Sequence, residues 1–423
     1  MRDIRPIKDL AGSPTASLES NEKWPGFGVS ILPKKTRVAI VGGGPAGSLL
    51  AYLLFLEGIE SVILELRSRL HVLGRVRAGV IEHGSSEVLR DIGVGERMDR
   101  EGFVHDGVNL AVSDRHLRVD FKALTGKHVV IYGQTELQKD LYEAIDAAGI
   151  ALIEEVEEFV LENITESAPR IIFKTNGQEY SLDCDFVVGC DGVHGVTSQY
   201  IPTSVREDFE RIYPFVWVGI LSETPPVREE LVYANHNDGF ALCSMRNSNL
   251  SRYYVQGSAG DGPNDWPDHR FWEALETRLP DEISADLVTG PSIEKIVTPL
   301  RSSVSEPLRH GRLFLAGDAA HVVPPTGAKG LNLAISDVIY MAEALGAFYR
   351  SGSETGLDGY SARALARVWK AVRFSWWMTN AMHRFPGISD GFDRRMQRTE
   401  LETLFDSESA RRNLAENYVG LPL

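Results

Sequence analysis

The chain of 423 residues is 43% hydrophobic, so it can bury a large core, and its length predicts two or three domains or one elaborated α/β unit. Its formal net charge of −15 argues against nucleic acid and anionic membranes as partners, because both require a concentrated basic surface. Its three cysteines fit no common metal-binding pattern, which indicates a reduced, cytoplasmic protein without a metal site.

The segment 1–35 is predicted to be a poorly ordered arm. It is polar, contains Pro14, Pro25 and Pro33, and lacks the apolar stretch of a signal peptide. A transit peptide is the weaker alternative, because the segment contains acidic residues. No apolar run along the chain reaches the roughly 18 residues that span a bilayer, so we predict no membrane contact.

The next segment is predicted to be a strand, a tight turn and a helix. A β-branched run at 37–41 precedes an apolar helical pattern at 48–57, and a second strand follows at 61–65. The turn between the first strand and the helix reads Gly42-Gly43-Gly44-Pro45-Ala46-Gly47. A GxGxxG turn in this context, with an acid about 20 residues further on, is typical of dinucleotide-binding folds.

The glycines of this turn have separate expected tasks. Gly42 permits the tight turn, Gly44 lets the backbone approach a pyrophosphate, and Gly47 lets the helix pack closely on the strand. Glu65, at the end of the second strand, would accept hydrogen bonds from an adenosine ribose. The alternative is a tight turn that binds no ligand.

Two later strands are predicted to end in short acidic motifs. A strand at 186–189 precedes Asp191-Gly192, and a strand at 312–316 precedes Gly317-Asp318. Together with the glycine turn, these motifs indicate a large dinucleotide that the chain contacts at three places. A nicotinamide dehydrogenase would need only the glycine turn.

The segment 317–332 is too apolar and too rich in glycine for a solvent-exposed loop, and a helical pattern at 333–349 follows it. Backbone N–H groups at a helix start suit a ligand that carries hydroxyls and developing negative charge. We therefore predict a cofactor site here. His321 is interpreted as a packed residue of this segment, with a catalytic base as the alternative.

The period of the pattern changes to two between 230 and 256, which predicts an antiparallel β-meander inserted into the dinucleotide-binding fold. Alternation places Ser244 and Arg246 on one face of the middle strand, and Tyr254 lies on the next strand. These side chains together can bind a carboxylate. An edge sheet whose Arg and Tyr face water is an equally open alternative.

The motifs and their order resemble the flavoprotein aromatic hydroxylases, a family of single-component FAD-dependent monooxygenases. The resemblance runs from about Val38 to Pro422. Besides the motifs above, it is carried by Gly74-Arg75-Val76-Arg77-Ala78-Gly79-Val80, Tyr132-Gly133-Gln134-Thr135-Glu136, Tyr233-Ala234-Asn235-His236, Phe374-Ser375-Trp376-Trp377-Met378-Thr379 and Glu416-Asn417-Tyr418-Val419-Gly420-Leu421-Pro422.

The resemblance implies an α/β (α+β) fold, with a Rossmann-like FAD-binding domain, an inserted antiparallel β-sheet substrate domain and C-terminal helices. We predict a discontinuous FAD-binding domain at 36–110, 130–205 and 300–350. The substrate domain is predicted at 111–129 and 206–299, and a C-terminal helical dimerisation region at 351–423. A homodimer is therefore expected.

The implied activity is hydroxylation of 4-hydroxybenzoate to 3,4-dihydroxybenzoate with NADH or NADPH and O₂, through a C4a-hydroperoxide of the flavin. The same chemistry on another substituted benzoate, such as 4-aminobenzoate, is the nearest alternative. A protein that binds FAD without hydroxylating anything is a more distant one. The expected ligands are thus FAD, a small aromatic carboxylate, O₂ and NAD(P)H.

The resemblance also implies a role for each site residue. The catalytic residues would be Tyr233, Tyr418, His105 and Pro325, with the two tyrosines and the histidine forming a proton relay to solvent. The substrate would contact Ser244, Arg246, Tyr254, Tyr233 and Thr326. FAD would contact Gly42, Gly44, Ala46, Gly47, Glu65, Arg75, Arg77, Gln134, Asp191, Asp318, Lys329, Leu331 and Asn332. The nicotinamide nucleotide would contact His194, Arg301 and Arg75.

Three positions depart from the pattern of the NADPH-using members of this family. Leu66 and Ser198 stand where those members carry Arg, and His71 stands where they carry Tyr. Fewer guanidinium groups weaken the binding of a 2′-phosphate, although 67–75 carries three arginines that can compensate. We therefore expect NADH to be used at least as well as NADPH.

Overall fold

The computed structural model describes residues 32–74, 79–387 and 391–423. All but the last four residues of the predicted N-terminal arm at 1–35 lie outside these ranges, as do Arg75 and Arg77.

Strands and short helices alternate along the described ranges, and long helices close the chain. The strands are β1 (Val38–Val41), β2 (Ser61–Leu64), β3 (Val80–Ile81), β4 (Phe103–His105), β5 (Gly107–Val112), β6 (Arg115–Asp120), β7 (Val129–Ile131), β8 (Ala151–Ile153), β9 (Val156–Glu162), β10 (Arg170–Thr175), β11 (Gln178–Asp183), β12 (Phe186–Gly189), β13 (Glu207–Ser222), β14 (Val232–His236), β15 (Gly239–Asn247), β16 (Leu250–Ser258), β17 (Ser292–Glu306), β18 (Arg309–His310), β19 (Leu313–Leu315) and β20 (His321–Val322). The helices are α1 (Pro45–Leu56), α2 (Arg69–Leu73), α3 (His83–Asp91), α4 (Glu96–Glu101), α5 (Phe121–Thr125), α6 (Gln134–Ala148), α7 (Asp268–Arg278), α8 (Asp281–Ser284), α9 (Gly330–Ser351), α10 (Thr355–Met382), α11 (Phe392–Asp406) and α12 (Glu408–Tyr418).

A six-stranded sheet, in the order β18-β19-β12-β1-β2-β8, forms the dinucleotide-binding half. Its central strands β1, β2 and β12 pair in parallel and are buried along their whole length. Burial of both faces explains why these strands read as continuous apolar runs. Val41 pairs with Gly189, so the turns after β1 and β12 lie side by side at the carboxyl edge of the sheet.

An eight-stranded sheet, in the order β20-β17-β13-β16-β15-β14-β5-β6, forms the second half. The predicted meander is confirmed: β14 pairs with β15 and β15 pairs with β16, both antiparallel. The strand pairing extends this sheet beyond the predicted domain boundaries. Strand β5 starts at Gly107, and β17 pairs with β13 as far as Glu306, so 107–110 and 300–306 lie in this sheet and not in the six-stranded one.

The C-terminal helices pack on both halves. Helix α10 packs against α9, and its last turns join the core of the eight-stranded sheet, where Phe374, Met378 and Tyr418 share one hydrophobic cluster with Trp217 and Tyr233. The region 351–423 therefore contributes to the core of the protein.

Helix α9 is long and apolar enough to cross a membrane, but 72% of its most apolar window is buried inside the protein. It packs against α1 and α10. We interpret α9 as a core helix, since its apolar surface is already covered by protein.

Candidate active site

A cavity of about 420 Å³ is lined by residues of both large sheets. It brings together fourteen of the residues predicted from the sequence: Gly42, Gly44, Ala46, Glu65, Gln134, Asp191, Tyr233, Ser244, Arg246, Tyr254, Asp318, Pro325, Lys329 and Leu331. The other predicted residues in the described ranges do not line it: Gly47, His105, His194, Arg301, Thr326, Asn332 and Tyr418. Residues that lie up to about 290 positions apart thus form one continuous site.

The glycine turn after β1 has the geometry that a pyrophosphate requires. Gly42 has φ +105°, and a Cβ there would lie 2.3 Å from the carbonyl oxygen of Cys190. A Cβ on Gly47 would lie 1.9 Å from the carbonyl oxygen of Gly42, so only glycine allows α1 to start this close to β1. A Cβ on Gly44 would have no atom within 4 Å, so this residue faces open space in the cavity.

Glu65 is fixed at the cavity wall by two backbone donors. The Gly43 N–H donates to its Oε2 at 2.6 Å, and the Arg67 N–H donates to its Oε1 at 2.8 Å. Each carboxylate oxygen has two lone pairs, so one remains on each oxygen for a ribose hydroxyl. This geometry fits the predicted ribose contact.

Asp191 shapes its own turn. Its Oδ2 accepts from the N–H groups of Val196 and Thr197 at 2.7 and 2.9 Å, and its Oδ1 accepts from the Thr197 hydroxyl at 2.5 Å. A Cβ on Gly195 would lie 2.0 Å from the Asp191 carboxyl carbon. The side chain therefore organises the loop that borders the cavity, a task that its motif alone did not reveal.

The segment after β19 is held in place by the buried pair Asp337 and His321. Asp337 accepts from the Gly317 N–H at 2.9 Å and contacts His321 Nε2 at 2.6 Å, next to Asp318 on the cavity wall. Burial opposes protonation of His321, but the Asp337 carboxylate outweighs burial and raises the pKa of His321. His321 is 2% exposed and does not line the cavity, which agrees with the packed role.

Helix α9 begins at Gly330, beside the cavity. The first N–H groups of a helix have no intrahelical acceptor, so they attract negative charge. The Asn332 side chain faces away from the cavity: it accepts from the Glu82 N–H at 2.9 Å and donates to the Val80 carbonyl at 2.9 Å. These bonds fix the helix start against β3.

Arg246 is the clearest sign of a ligand in this cavity. Its Nη1 donates to the Ser244 hydroxyl at 3.1 Å, while Nε and Nη2 are buried and have no hydrogen-bond partner within the described residues. Burial lowers the pKa of Arg246. A buried cation with free donors is costly unless an anion pairs with it. The meander face therefore provides a site for an anion, with Ser244 and Tyr254 beside it.

Two buried tyrosines are joined at the same cavity. The hydroxyls of Tyr233 and Tyr418 lie 2.9 Å apart, and either can be the donor. Burial raises the pKa of Tyr233 to about 12, with the Tyr418 hydrogen bond acting against it. Burial and the neighbouring Tyr233 raise the pKa of Tyr418 well above its ordinary value. Both hydroxyls therefore stay neutral near pH 7 and can pass a proton between them.

Comparison with known proteins decides the family. Residues 35–375 match the model of the FAD binding domain family. The chain is 50% identical over 389 residues to p-hydroxybenzoate hydroxylase of Acinetobacter baylyi, covering 92% of this chain and 96% of that protein. It is 26% identical to 6-hydroxy-3-succinoylpyridine 3-monooxygenase of Pseudomonas putida, covering 84% and 91% of the two chains.

The chain belongs to the FAD-dependent aromatic hydroxylases. The resemblance seen in the sequence is thereby confirmed, as are FAD as the cofactor and the α/β fold class. The crystal structure of p-nitrophenol 4-monooxygenase from Pseudomonas putida has the same fold, with a TM-score of 0.76 at 19% identity, covering 92% of this chain and all of that one. The open space at Gly44, the oriented Glu65 carboxylate and the start of α9 fit FAD in this hydroxylase.

His105 is buried in this hydroxylase, whereas a residue that releases protons to water is expected to contact solvent. It is 2% exposed, and neither ring nitrogen has a hydrogen-bond partner among the residues that the structure describes. Burial lowers the pKa of His105 to about 4. The structure thus joins Tyr233 to Tyr418 but connects neither of them to His105 by a direct hydrogen bond.

Lys329 lines the cavity, but its charge belongs to a buried cluster with Glu82 and Arg367. Its Nζ donates to Glu82 Oε1 at 2.6 Å and to the Tyr418 carbonyl at 3.0 Å, and Arg367 donates to the other Glu82 oxygen at 3.0 Å. The two cations and the one carboxylate carry a net charge of +1, and Lys329 contacts the Tyr418 carbonyl. Glu82 and Arg367 were not predicted from the sequence, because they lie 247 and 38 residues from Lys329 with no shared motif.

His194 and Arg301, two of the residues predicted for the nicotinamide nucleotide, do not line the cavity, and the third, Arg75, lies outside the described residues. His194 is exposed, and Arg301 contacts Glu210 at 3.4 Å. Arg69 is held by Asp146 at 2.6 Å and by Glu154 at 3.5 Å, so it is already neutralised.

Trp217 is a cavity residue that the sequence analysis missed. Its Nε1 donates to His383 Nε2 at 2.7 Å, and its ring lies 5.0 Å from that of Tyr254. Burial lowers the pKa of His383 to about 3, so the acceptor nitrogen stays unprotonated. The two residues lie 166 positions apart, so no local pattern in the sequence links them.

The glycine turn gives a matched pair of substitutions. Gly44→Ala should leave the melting temperature of the apoprotein unchanged and weaken FAD binding by at least about tenfold, because the methyl group fills the space beside the pyrophosphate. Gly47→Ala should destabilise the apoprotein by about 1–3 kcal/mol, because its methyl group meets the Gly42 carbonyl. Thermal unfolding and flavin-fluorescence titration measure both effects. Unchanged FAD affinity in Gly44→Ala would contradict the assignment.

Proposed function

We propose that this hydroxylase converts 4-hydroxybenzoate to 3,4-dihydroxybenzoate, using NAD(P)H and O₂. The observation that carries the proposal is the buried Arg246 guanidinium, with two donors that have no partner within the described residues, in the cavity that also holds the glycine turn. The 50% identical relative is a p-hydroxybenzoate hydroxylase, which supports the same substrate class.

The substrate carboxylate would pair with Arg246 and accept from the Ser244 and Tyr254 hydroxyls. Arg and carboxylate form paired, charge-assisted hydrogen bonds, which are roughly twice as strong as neutral ones. The register of the meander sets Tyr233 opposite Leu242, two residues from Ser244 on β15. That separation is about 7 Å along a strand, on the scale of one aromatic ring. A ring with its carboxylate at Ser244 and Arg246 would therefore direct a para substituent to Tyr233.

The phenol of the substrate must lose its proton before the ring can attack an electrophilic oxygen, because a phenolate is the stronger nucleophile. Tyr233 would accept the phenolic proton and pass its own proton to Tyr418 over 2.9 Å. Tyr418 would in turn release a proton toward solvent, for which His105 stays the predicted outlet. Bound FAD supplies the reduction and activation of O₂. Leu231, Leu242, Val322 and Pro325 line the same cavity and exclude water from it.

4-Aminobenzoate is the alternative substrate, since it has the same carboxylate and a para substituent. An aromatic amine is already neutral and nucleophilic, so it does not need the tyrosine pair to remove a proton. The buried hydrogen bond between Tyr233 and Tyr418 therefore favours the phenol.

We also propose that two copies of the enzyme associate in the cytoplasm through the C-terminal region. A groove lined by Phe209, Val304, Trp369, Val372 and Trp376 supports this, since the two tryptophans are 38% and 42% exposed. Large exposed aromatic residues are typical of interfaces. The three cysteines are buried and unpaired, as in a reduced compartment. Sedimentation of the purified enzyme tests the dimer.

Substitution of Arg246 tests the substrate class. Arg246→Ala should raise the KM for 4-hydroxybenzoate at least about 100-fold, because a buried charge pair loses roughly 3 kcal/mol when one partner is removed. The preference of the enzyme for 4-hydroxybenzoate over 4-hydroxybenzamide should disappear at the same time. Steady-state NAD(P)H oxidation and product analysis with a panel of benzoates measure both. Arg100→Ala, on the exposed side of α4, is the control. An unchanged KM, or product only from 4-aminobenzoate, would sink the proposal.

Substitution of Tyr233 tests the proton transfer. Tyr233→Phe should slow hydroxylation about 100-fold and divert reduced oxygen to H₂O₂, because the phenol keeps its proton. Ionisation of the bound phenol, followed by its ultraviolet spectrum, should move to higher pH, while FAD affinity stays the same. Tyr52→Phe on α1 is the matched control. Full coupling and an unchanged ionisation pH in Tyr233→Phe would exclude the tyrosine pair from this role.

The nucleotide preference follows from the arginines. Arg69 is neutralised by Asp146 and Glu154. Leu66, which is 55% exposed, stands where an Arg would bind the 2′-phosphate. We therefore expect kcat/KM with NADH to equal or exceed kcat/KM with NADPH. Leu66→Arg should raise kcat/KM for NADPH about tenfold and leave that for NADH unchanged, since only the 2′-phosphate gains a partner. A strong NADPH preference in the unsubstituted enzyme would refute this expectation.

A further inference from the structure

The carbonyl oxygen of Gly43, in the middle of the glycine turn, accepts three side-chain hydrogen bonds. The Ser48 hydroxyl donates at 2.9 Å, the Gln138 amide at 3.2 Å and the Tyr142 hydroxyl at 3.0 Å. The three donors are 0%, 3% and 2% exposed. The Gly43 N–H is fixed as well, by Glu65 at 2.6 Å.

These donors come from two helices that the glycine motif does not predict to meet. Ser48 lies on α1, whereas Gln138 and Tyr142 lie one turn apart on α6, more than 90 residues away. Gln138 also donates to the Ser48 hydroxyl at 3.0 Å, which leaves that hydroxyl's own proton for the Gly43 carbonyl. Arg69 lies over the Tyr142 ring at 4.6 Å and so supports it from α2.

The direction of one peptide follows from these bonds. In a trans peptide the C=O of one residue and the N–H of the next point in opposite directions. The Gly43 carbonyl points to the side chains of α1 and α6, so the Gly44 N–H points away from them. Gly44 lines the cavity and faces open space there. Hydrogen bonds to a carbonyl also polarise its peptide and strengthen the N–H as a donor.

We propose that Ser48, Gln138 and Tyr142 are positioning residues for the FAD pyrophosphate. They hold the Gly43–Gly44 peptide so that the Gly44 N–H donates to a phosphate oxygen. None of the three needs to touch the cofactor for this effect, although Gln138 also borders the cavity. The proposal concerns FAD affinity and is independent of the substrate that the enzyme hydroxylates.

The test compares FAD with riboflavin, which has the same ring system and no phosphate. Full-length apoprotein carrying Ser48→Ala, Tyr142→Phe or both is titrated with each compound, and quenching of flavin fluorescence gives the Kd. The Kd for FAD should rise about 3- to 10-fold for each lost hydrogen bond and about 30-fold in the double variant. The Kd for riboflavin should not change, whereas the apoprotein should lose some thermal stability, because each variant removes a buried hydrogen bond. Tyr52→Phe, which changes a tyrosine on α1 that does not contact Gly43, is the control.

The alternative is that the three side chains only hold α6 against α1. In that case the variants would raise the Kd for FAD and the Kd for riboflavin by the same factor, and the proposal would be overturned. Unchanged Kd values for FAD would overturn it as well. Gln138→Met removes the amide donor at similar volume, and it decides the question by the same readouts if Ser48→Ala fails to fold.

Discussion

Arg246 lacks an anionic partner within the described ranges, and this dominates the electrostatics on the side of the cavity that the eight-stranded sheet forms. A guanidinium removed from water, with two donors that have no partner in the described part of the chain, raises the free energy of the empty site. Strand β15 cannot relieve this by twisting, because β14 and β16 pair with it on both sides. The cation therefore stays at the cavity. We propose that the sheet keeps this charge for a ligand with a negative group, since it lowers the stability of the empty site.

The cluster of Lys329, Glu82 and Arg367 also places positive charge next to the site. Glu82 neutralises one of the two cations that contact it, so Lys329 and Arg367 leave a positive charge close to Tyr418. Burial nevertheless dominates at Tyr418, whose pKa stays well above its ordinary value. We propose that the positive charge acts instead on negative charge that would develop in the cavity, on the substrate phenol and on bound FAD.

The sequence predicted the parts of the site that depend on local geometry. The GxGxxG turn requires glycine at Gly42 for its positive φ and at Gly47 for the close approach to the Gly42 carbonyl, and strand alternation alone put Ser244 and Arg246 on one face. The parts that were missed depend on contacts between distant segments: Glu82 with Lys329 and Trp217 with His383. Neither pair has a spacing that periodicity can detect. The limits of β5 and β17 were missed for a related reason, since pairing with a partner strand decides where a strand ends.

The segment 317–332 determines how the two halves of the site are placed relative to each other. Strand β19, before it, belongs to the six-stranded sheet, whereas β20, within it, pairs with β17 of the eight-stranded sheet. Helix α10 fixes the segment from behind: Thr379 donates to the Thr326 hydroxyl at 3.0 Å, and a Cβ on Gly327 would lie 2.5 Å from the Ser375 hydroxyl. Pro325 therefore keeps one position relative to both sheets. We propose that this fixed position matters more to hydroxylation than to the binding of either ligand alone, because the oxygen that bound FAD would supply must reach the substrate ring.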